Sequence, residues 1–298
     1  MKRATFQGTG LLFALLAAML YALNAPLSKY ILQYLPPTLT AGLLYLGAGL
    51  GMALVGLFRK KPRSENGEKP LTRSDIPFVL AMILLDIAAP VLLMFGLKYT
   101  SASGVALLNN FEIVATALLA FCFFRERING TLWLGIFFVT LSCFLLSFDP
   151  KDSFSFSFGS ALVLGACACW GLENNCTRRL SEKDPLQIVV LKGVFSGLGS
   201  LALGLCIGER FQTLPVVFCA LALGFVAYGL SIFYYVHAQR RLGAAKTSAY
   251  YAVAPFISAL LSLILFRELP TVRYYVAFAC MIVGVVFTTK AETPTEKD

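Results

Sequence analysis

Charged side chains are scarce in this sequence, and their scarcity limits the class of protein. Only 14% of the 298 residues are Asp, Glu, Lys or Arg, whereas 58% are hydrophobic. A soluble domain carries about 25% charged residues. This chain therefore has too few of them to cover a water-facing surface, and the composition predicts an integral membrane protein.

Histidine is scarcer still, because His237 is the single example. One histidine cannot assemble a multi-histidine zinc site, and it offers little material for the nucleophile–base pair of a membrane enzyme. The eight cysteines lie in or beside apolar runs, where they act as small packing residues and not as a disulfide framework. We expect no catalytic residue, no metal and no cofactor.

Ten apolar runs are each long enough to cross a bilayer. A transmembrane helix needs about 20 apolar residues, whereas barrel strands are shorter and alternate in polarity. The sequence therefore predicts an all-α integral membrane fold of ten transmembrane helices. Their approximate limits are 8–31, 37–58, 76–98, 101–124, 129–148, 158–180, 185–207, 214–239, 244–266 and 271–289.

The distribution of basic residues predicts the orientation of these helices. With the N-terminus inside, 18 of the 25 Lys and Arg residues fall on the inner side, 6 fall on the outer side, and Lys192 lies within a span. Inner loops of membrane proteins carry this excess. We therefore expect a multi-pass protein of the cytoplasmic membrane with both termini cytoplasmic. The net charge of +9 follows from this topology, and we expect no nucleic-acid partner.

The two halves of the sequence repeat one another. The segment GLLFALLAAMLYALNAPLSKYI, which starts at Gly10, matches GSALVLGACACWGLENNCTRRL, which starts at Gly159, at an offset of 149. A second match, at an offset of 142, joins FRE at 124–126 to FRE at 266–268. Residues 1–150 and 151–298 would each form five helices. Because five is odd, the second repeat would enter the membrane from the opposite side, as in many secondary transporters.

This doubled unit resembles the ten-helix EamA-type branch of the drug/metabolite transporter superfamily over essentially the whole chain. The first half departs from this pattern at one position. Ile113 occupies the place that is equivalent to Pro255 of the ninth helix, so the first half lacks this proline. The resemblance implies a metabolite transporter that works without a nucleotide-binding domain. Its carrying residues are Tyr21, Glu126, Trp170, Pro255 and Glu268.

Three acidic residues lie inside predicted spans, namely Asp86, Glu112 and Glu173. An ionised group at the bilayer centre costs about 2.5–3.5 kcal/mol on insertion scales, so it faces a partner or a cavity. These acids are candidates to bind a cationic or zwitterionic solute, or to exchange protons. Glu173 also has a second option, which is to pair with Arg178 or Arg179 near the inner surface.

Aromatic and amide side chains complete the candidate substrate-binding site. A wide ring beside a carboxylate suits an amphipathic or cationic solute. Of the neighbouring pair Tyr250 and Tyr251, we expect one to line the cavity. Besides the acids, the candidates are Tyr21, Asn24, Asn109, Asn110, Trp170, Asn174, Tyr228, Tyr250 and Tyr251.

Glycines recur along the second and seventh helices, at Gly42, Gly47, Gly49, Gly51, Gly193, Gly197 and Gly199. Small residues let transmembrane helices approach closely. We therefore expect close helix packing at these positions, and sliding or rocking at these contacts is the alternative.

The function that these patterns favour is secondary transport of a small polar or amphipathic metabolite by alternating access. Its partners would be the small-molecule substrate, the lipid bilayer and, with proton coupling, protons. A non-transporting receptor or scaffold and a channel-like facilitator remain open as alternatives. The sequence makes no prediction of oligomeric state.

Overall fold

The computed structural model describes residues 2–58, 71–124, 128–147, 157–177, 180, 183–211, 213–242, 247 and 250–292. Glu126 and the pair Arg178–Arg179, which entered the sequence predictions, lie outside these residues. Regular structure in the described part of the chain is entirely helical.

Each of the ten predicted spans corresponds to helix. In chain order the helices are α1 (Lys2–Ala22), α2 (Asn24–Ile31), α3 (Pro37–Phe58), α4 (Ile76–Tyr99), α5 (Ala102–Leu108), α6 (Phe111–Phe124), α7 (Gly130–Ser147), α8 (Phe158–Thr177), α9 (Pro185–Cys206), α10 (Leu214–Gly224), α11 (Ser231–Leu242), α12 (Ala254–Phe266) and α13 (Val272–Glu292). A π-helical turn, Phe225–Leu230, joins α10 to α11.

Eight of these spans are long and apolar enough to cross a membrane by length and composition, within the described residues. The other two positions are occupied by α8, which carries Glu173, and by α12, a shorter apolar helix of 13 residues. The prediction of an all-α membrane protein is confirmed, and the ten-helix count is compatible with it.

Several spans are interrupted near their middle, and proline accounts for two of the interruptions. Pro26 has no N–H to donate to the carbonyl of Ala22, four residues earlier, and α1 ends at Ala22. Pro255 likewise has no N–H to donate to the carbonyl of Tyr251, and a turn separates Tyr251 from the start of α12. Both breaks therefore follow from the local sequence.

The fourth span breaks without a proline, at Asn109–Asn110. The Asn110 side chain donates to the carbonyl of Leu107 at 3.0 Å, which replaces a helical bond within the same turn. At the offset of 142, Asn110 corresponds to Ala252, which lies in the turn before α12. The two repeats thus interrupt equivalent helices within one residue of each other, by different chemistry.

The helices pair across the two halves. The tightest pairs are α3 with α9, α4 with α8, α7 with α13 and α1 with α11, and α5 packs on α12. If each of the ten spans is replaced by the span five positions away in the sequence, every one of these helix pairs becomes a pair of the same set. The packing therefore has the approximate two-fold relation that a repeat requires.

The paired helices of equivalent position run in opposite directions. Along α3 and α9, Gly42 meets Leu201, whereas Gly49, further along α3, meets Gly193. In α7 and α13, Ser142 Oγ donates to the Ala277 carbonyl at 2.6 Å, and Gly135 faces the later residue Thr288. Opposite directions at equivalent positions are what an inverted repeat produces. The division at about residue 150 stays a prediction.

The crossing of α3 and α9 depends on glycine. A Cβ atom at Gly197 would come 2.6 Å from the backbone nitrogen of Leu46 and 2.9 Å from the Gly42 carbonyl oxygen. Backbone atoms cannot rotate away as a side chain can, so the two helices would have to separate. Close contact at this crossing brings side chains of α3 and α9 to the same site.

We predict that Gly197→Ala lowers the stability of the protein by about 1–3 kcal/mol, the usual cost of overpacking. Gly165→Ala in α8 is the matched control, because its Cβ would lie 3.6 Å from Leu92, an ordinary contact. The measurement is the midpoint of thermal unfolding in detergent. Equal midpoints for the two variants would contradict the close crossing.

Candidate functional site

Three ionisable side chains from three helices meet between the halves. The Lys192 ammonium of α9 lies 3.0 Å from Asp86 Oδ2 of α4 and 3.4 Å from Glu173 Oε1 of α8. Both carboxylates are buried, whereas the Lys192 side chain is 23% exposed. We call these residues the ionic triad. Pairing offsets the cost of removing each charge from water.

Two aromatic side chains hold the second oxygen of Asp86. The Tyr45 hydroxyl of α3 donates to Asp86 Oδ1 at 3.1 Å, and Trp170 Nε1 donates to the Tyr45 hydroxyl at 3.3 Å. An indole N–H can only donate, so the chain of bonds has one direction and ends on the Asp86 carboxylate. The Asp86 carboxylate therefore has the Lys192 ammonium beside one oxygen and the Tyr45 hydroxyl on the other.

The local sequence places these groups. Trp170 and Glu173 are three residues apart on α8 and so share one helix face. Pro90 of α4 lacks the N–H that would bond the carbonyl of Asp86, although α4 continues past it. The Asp86 position thus combines a buried carboxylate with a carbonyl that has lost its helical donor.

An aromatic cluster adjoins the ionic triad. The ring of Tyr228 lies 5.5 Å from that of Tyr45 and 5.9 Å from that of Tyr21, and Tyr21 lies 5.8 Å from Tyr251. Tyr228 belongs to the π-helical turn Phe225–Leu230. Such turns are frequent at functional sites because they reorient side chains within a helix. The cluster presents ring faces and edges beside the charges.

Asn24 and Tyr228 are the counterparts of Glu173 and Asp86 at the offsets of 149 and 142. The Asn24 amide donates directly to the Tyr228 hydroxyl at 2.8 Å, whereas the two acids are bridged through Lys192. The same two positions therefore meet in both repeats. One pair is neutral and directly bonded, and the other is charged with an ammonium between its members.

Glu112 forms a second polar group, at the start of α6. It accepts from Asn174 Nδ2 at 2.9 Å, and Asn174 Nδ2 also lies 3.3 Å from Thr116 Oγ1. Asn174 is exposed and follows Glu173 directly along α8. This helix therefore carries adjacent residues of the ionic triad and of the Glu112 group.

Two predicted site residues lie apart from the ionic triad and the aromatic cluster, and their role in binding stays a prediction. Tyr250 is 39% exposed, because its neighbour Tyr251 faces the aromatic cluster and adjacent helical residues point about 100° apart. Asn110 bonds within its own turn and stabilises the helix break. The side-chain oxygen of Asn109, Oδ1, is buried and has no hydrogen-bond partner.

Lys192 and Tyr45 were missing from the predicted site. Lys192 carried a signal, as the one basic residue well inside a predicted span. Tyr45 carried none, because its contact with Asp86 depends on how α3 packs against α4. Among the residues that the structure describes, no group of three or more His, Cys, Asp or Glu side chains could hold a metal ion.

A separate cavity of about 600 Å³ lies between the end of α3 and the start of α9. Its lining is apolar except for Gln187, and it includes Met52 and Leu186. Because no charged side chain lines it, this cavity offers little to a polar solute. The ionic triad and the aromatic cluster remain the candidate site.

Comparison with known proteins agrees with this class of fold. The model of the EamA-like transporter family matches residues 8–148 and again residues 157–290. The chain therefore belongs to the EamA-like transporter family and is a multi-pass membrane transporter. Membership implies a small-molecule substrate and a lipid environment, and it confirms the resemblance seen in the sequence.

Curated relatives carry the same general description. The chain is 26% identical over 296 residues to an uncharacterized transporter of Methanothermobacter thermautotrophicus, covering 93% of this chain and 84% of that protein. It is 24% identical over 250 residues to the uncharacterized transporter YyaM of Bacillus subtilis, covering 79% of each. A solved structure described only as a protein aligns with a TM-score of 0.66 at 17% identity, covering 97% of this chain and 98% of its own. That likeness concerns the fold alone.

We predict that Tyr45→Phe destabilises the protein by about 1–2 kcal/mol, because it removes one donor to Asp86 and leaves the Trp170 N–H without its acceptor. Tyr250→Phe, with the same loss of a hydroxyl on an exposed ring, should be close to neutral. Thermal unfolding in detergent measures both. Equal effects would show that the Tyr45 hydroxyl does not support the site.

Proposed function

We propose that this protein is a secondary active transporter that moves a small polar or amphipathic metabolite, amino-acid-like or cationic, across the cytoplasmic membrane by alternating access. The observation that carries the proposal is the ionic triad, which lies between the two halves and against aromatic rings. Substrate sites of inverted-repeat transporters lie in this position, near the midplane.

The charges of the triad favour a solute with an ammonium group. Asp86 and Glu173 contribute two negative charges and Lys192 one positive charge, so the group carries an excess of one negative charge when all three are ionised. Aromatic faces attract cations as well, and the Tyr45 and Trp170 rings adjoin the acids. Proton exchange at the same excess charge is the mode of coupling that we propose.

Alternating access needs contacts that close each face of the membrane in turn. On the face where α3 begins, Glu209 accepts from the backbone N–H groups of Thr38 at 3.3 Å and Leu39 at 2.9 Å, and Ser103 donates to Glu268. These bonds join the second half to the first. Glu209 complements the positive N-terminus of α3, and opening this face would break both sets of bonds.

The opposite face has its own links. The Lys183 ammonium lies 2.8 Å from Asp75 Oδ2, which joins the segment before α9 to the segment before α4. Arg241 donates to Thr9 Oγ1 at 2.6 Å, joining α11 to α1. Both contacts join the two halves on this face, so opening this face would break them. We propose that the contacts of the two faces form alternately during a transport cycle.

We predict that Glu173→Gln and Glu112→Gln each lower the transport rate in proteoliposomes by about tenfold or more, since loss of one buried charge removes over 1.4 kcal/mol of binding. Glu173→Gln should also flatten the dependence of transport on pH. Substrate counterflow is the assay, because it separates a carrier from a channel-like facilitator and from a non-transporting receptor.

Asp184→Asn is the matched acid-to-amide control. Asp184 accepts from the Leu186 N–H at 2.9 Å at the start of α9, and asparagine caps a helix as well as aspartate does. Transport by this variant should equal that of the wild type. If both glutamine variants kept the wild-type rate and pH dependence, the proposed site would be wrong.

We also propose that both termini face the cytoplasm. A green fluorescent protein fused after Asp298 should then fluoresce, and alkaline phosphatase at the same position should be inactive, because phosphatase folds only outside the cytoplasm. A fusion at Gly208, between α9 and α10, should give the opposite pattern. Active phosphatase at the C-terminus would reverse the proposed orientation.

A further inference from the structure

We propose that the Tyr228 hydroxyl determines specificity by donating a hydrogen bond to a carboxylate of the transported solute, which makes the substrate class a zwitterion. Asn24 is a positioning residue that acts through Tyr228. This inference rests on the proposed function for the existence of a transported solute and for the place of its ammonium beside the ionic triad. It adds the second charged group of the solute and the residue that recognises that group.

A chain of hydrogen bonds gives the Tyr228 hydroxyl its direction. Ser28 Oγ donates to Asn24 Oδ1 at 3.0 Å, so the amide nitrogen of Asn24 faces away from Ser28. Asn24 Nδ2 then donates to the Tyr228 hydroxyl oxygen at 2.8 Å. A tyrosine hydroxyl that accepts one hydrogen bond still has its own hydrogen to donate. The chain therefore runs from α2 through Tyr228 towards an acceptor beyond it.

Among the residues that the structure describes, no acceptor takes this hydrogen. The Tyr228 hydroxyl has one hydrogen-bond partner there, the Asn24 amide, and Tyr228 is the acceptor in that bond. The Tyr228 side chain is only 8% exposed, so little water reaches it. A buried donor without a partner costs free energy, and a solute oxygen at this position removes the cost. The hydroxyl is therefore available to a solute.

A second chain of the same polarity indicates which group such a donor binds. Trp170 Nε1 donates to the Tyr45 hydroxyl at 3.3 Å, and the Tyr45 hydroxyl donates to Asp86 Oδ1 at 3.1 Å. Both tyrosines thus accept from an N–H group, but only Tyr45 has a carboxylate for its own hydrogen. The two tyrosine rings are neighbours, with centroids 5.5 Å apart. A solute carboxylate completes the chain of Tyr228 as Asp86 completes the chain of Tyr45.

The repeat explains why the acceptor is missing from one chain. By the offset of 149, Asn24 corresponds to the acid Glu173. By the offset of 142, Tyr228 corresponds to the acid Asp86. The neutral pair offers a donor where the other pair offers carboxylates, and an O–H group binds a carboxylate by a strong, charge-assisted hydrogen bond. The two ends of a zwitterion therefore meet equivalent positions of the two halves.

Two pairs of compounds that differ by one carboxylate test this inference. L-phenylalanine is paired with phenethylammonium, and L-leucine with 3-methylbutylammonium, so each pair shares its ammonium and its substituent. The wild type should bind the carboxylate-bearing member of each pair about tenfold or more tightly. Tyr228→Phe should bring this ratio close to one, and the loss should fall on the carboxylate-bearing member. Calorimetry in detergent on monodisperse protein measures the four affinities.

Tyr251→Phe is the matched control, because it removes a hydroxyl from the same aromatic cluster. Ser231 Oγ donates to the carbonyl of Ala17 at 2.9 Å, so the Tyr251 hydroxyl, 3.3 Å from Ser231 Oγ, is the donor in that contact. The hydrogen of Tyr251 is therefore already taken. This variant should keep the tenfold ratio in both pairs, whatever the change in the individual affinities.

Two further variants test the part of Asn24 and protect the experiment against misfolding. Asn24→Leu keeps the Tyr228 hydroxyl but no longer orients it, so the ratio should fall without reaching one. A merely structural role of Asn24 would leave the ratio unchanged. Asn24→Leu combined with Tyr228→Phe removes both partners of their hydrogen bond, a replacement that is nearly neutral for stability. Its ratio should be close to one even where Tyr228→Phe alone does not fold.

The outcomes separate this inference from the proposed function. Equal binding of both members of each pair by the wild type, or a tenfold ratio that survives Tyr228→Phe, would overturn the role of Tyr228 and leave the transporter intact. Binding of none of the four compounds would also overturn this inference, whereas counterflow of another metabolite would still support the proposed function. A ratio that is lost in Tyr228→Phe and kept in Tyr251→Phe supports the carboxylate donor.

Discussion

The pairing of charges inside a hydrocarbon environment is the constraint on which this structure depends. A lone carboxylate there is costly, so Asp86 and Glu173 require a cation from another helix. Lys192 supplies it from α9, and Gly193 and Gly197 allow the same helix to approach α3 closely. The α9 helix therefore carries both the small residues of the helix crossing and the cation of the site.

The repeat explains why the site is asymmetric. Two equivalent pairs of positions meet across the halves, Asn24 with Tyr228 and Glu173 with Asp86. The first pair is neutral and directly hydrogen-bonded. The second pair consists of two acids, and Lys192 lies between them. An approximately two-fold fold thus carries an ion pair at one of these two equivalent pairs of positions and a neutral hydrogen bond at the other.

Much of the fold followed from the sequence because long apolar runs and proline act locally. The second span was predicted at 37–58 and lies at Pro37–Phe58. The acids were predicted because charge within a span is rare. Trp170 was predicted from its helical spacing to Glu173 and its match with Tyr21 in the repeat. The partnership of Tyr45 with Asp86 could not be found, since it depends on the packing of α3 against α4. Choosing between Tyr250 and Tyr251 requires the rotation of their helical segment about its axis. The break in the middle of this span changes that rotation, so the sequence alone does not give it.

The interruptions of the helices lie close to the binding chemistry for a physical reason. Asn24 begins α2 directly after one break, and Tyr251 precedes another. Tyr21 and Tyr251, whose rings meet 5.8 Å apart, lie beside such interruptions, whereas Asp86 lies on α4, which continues past Pro90. The proline breaks of the first and ninth spans therefore set the positions of the aromatic side chains, and a continuous helix sets the position of Asp86.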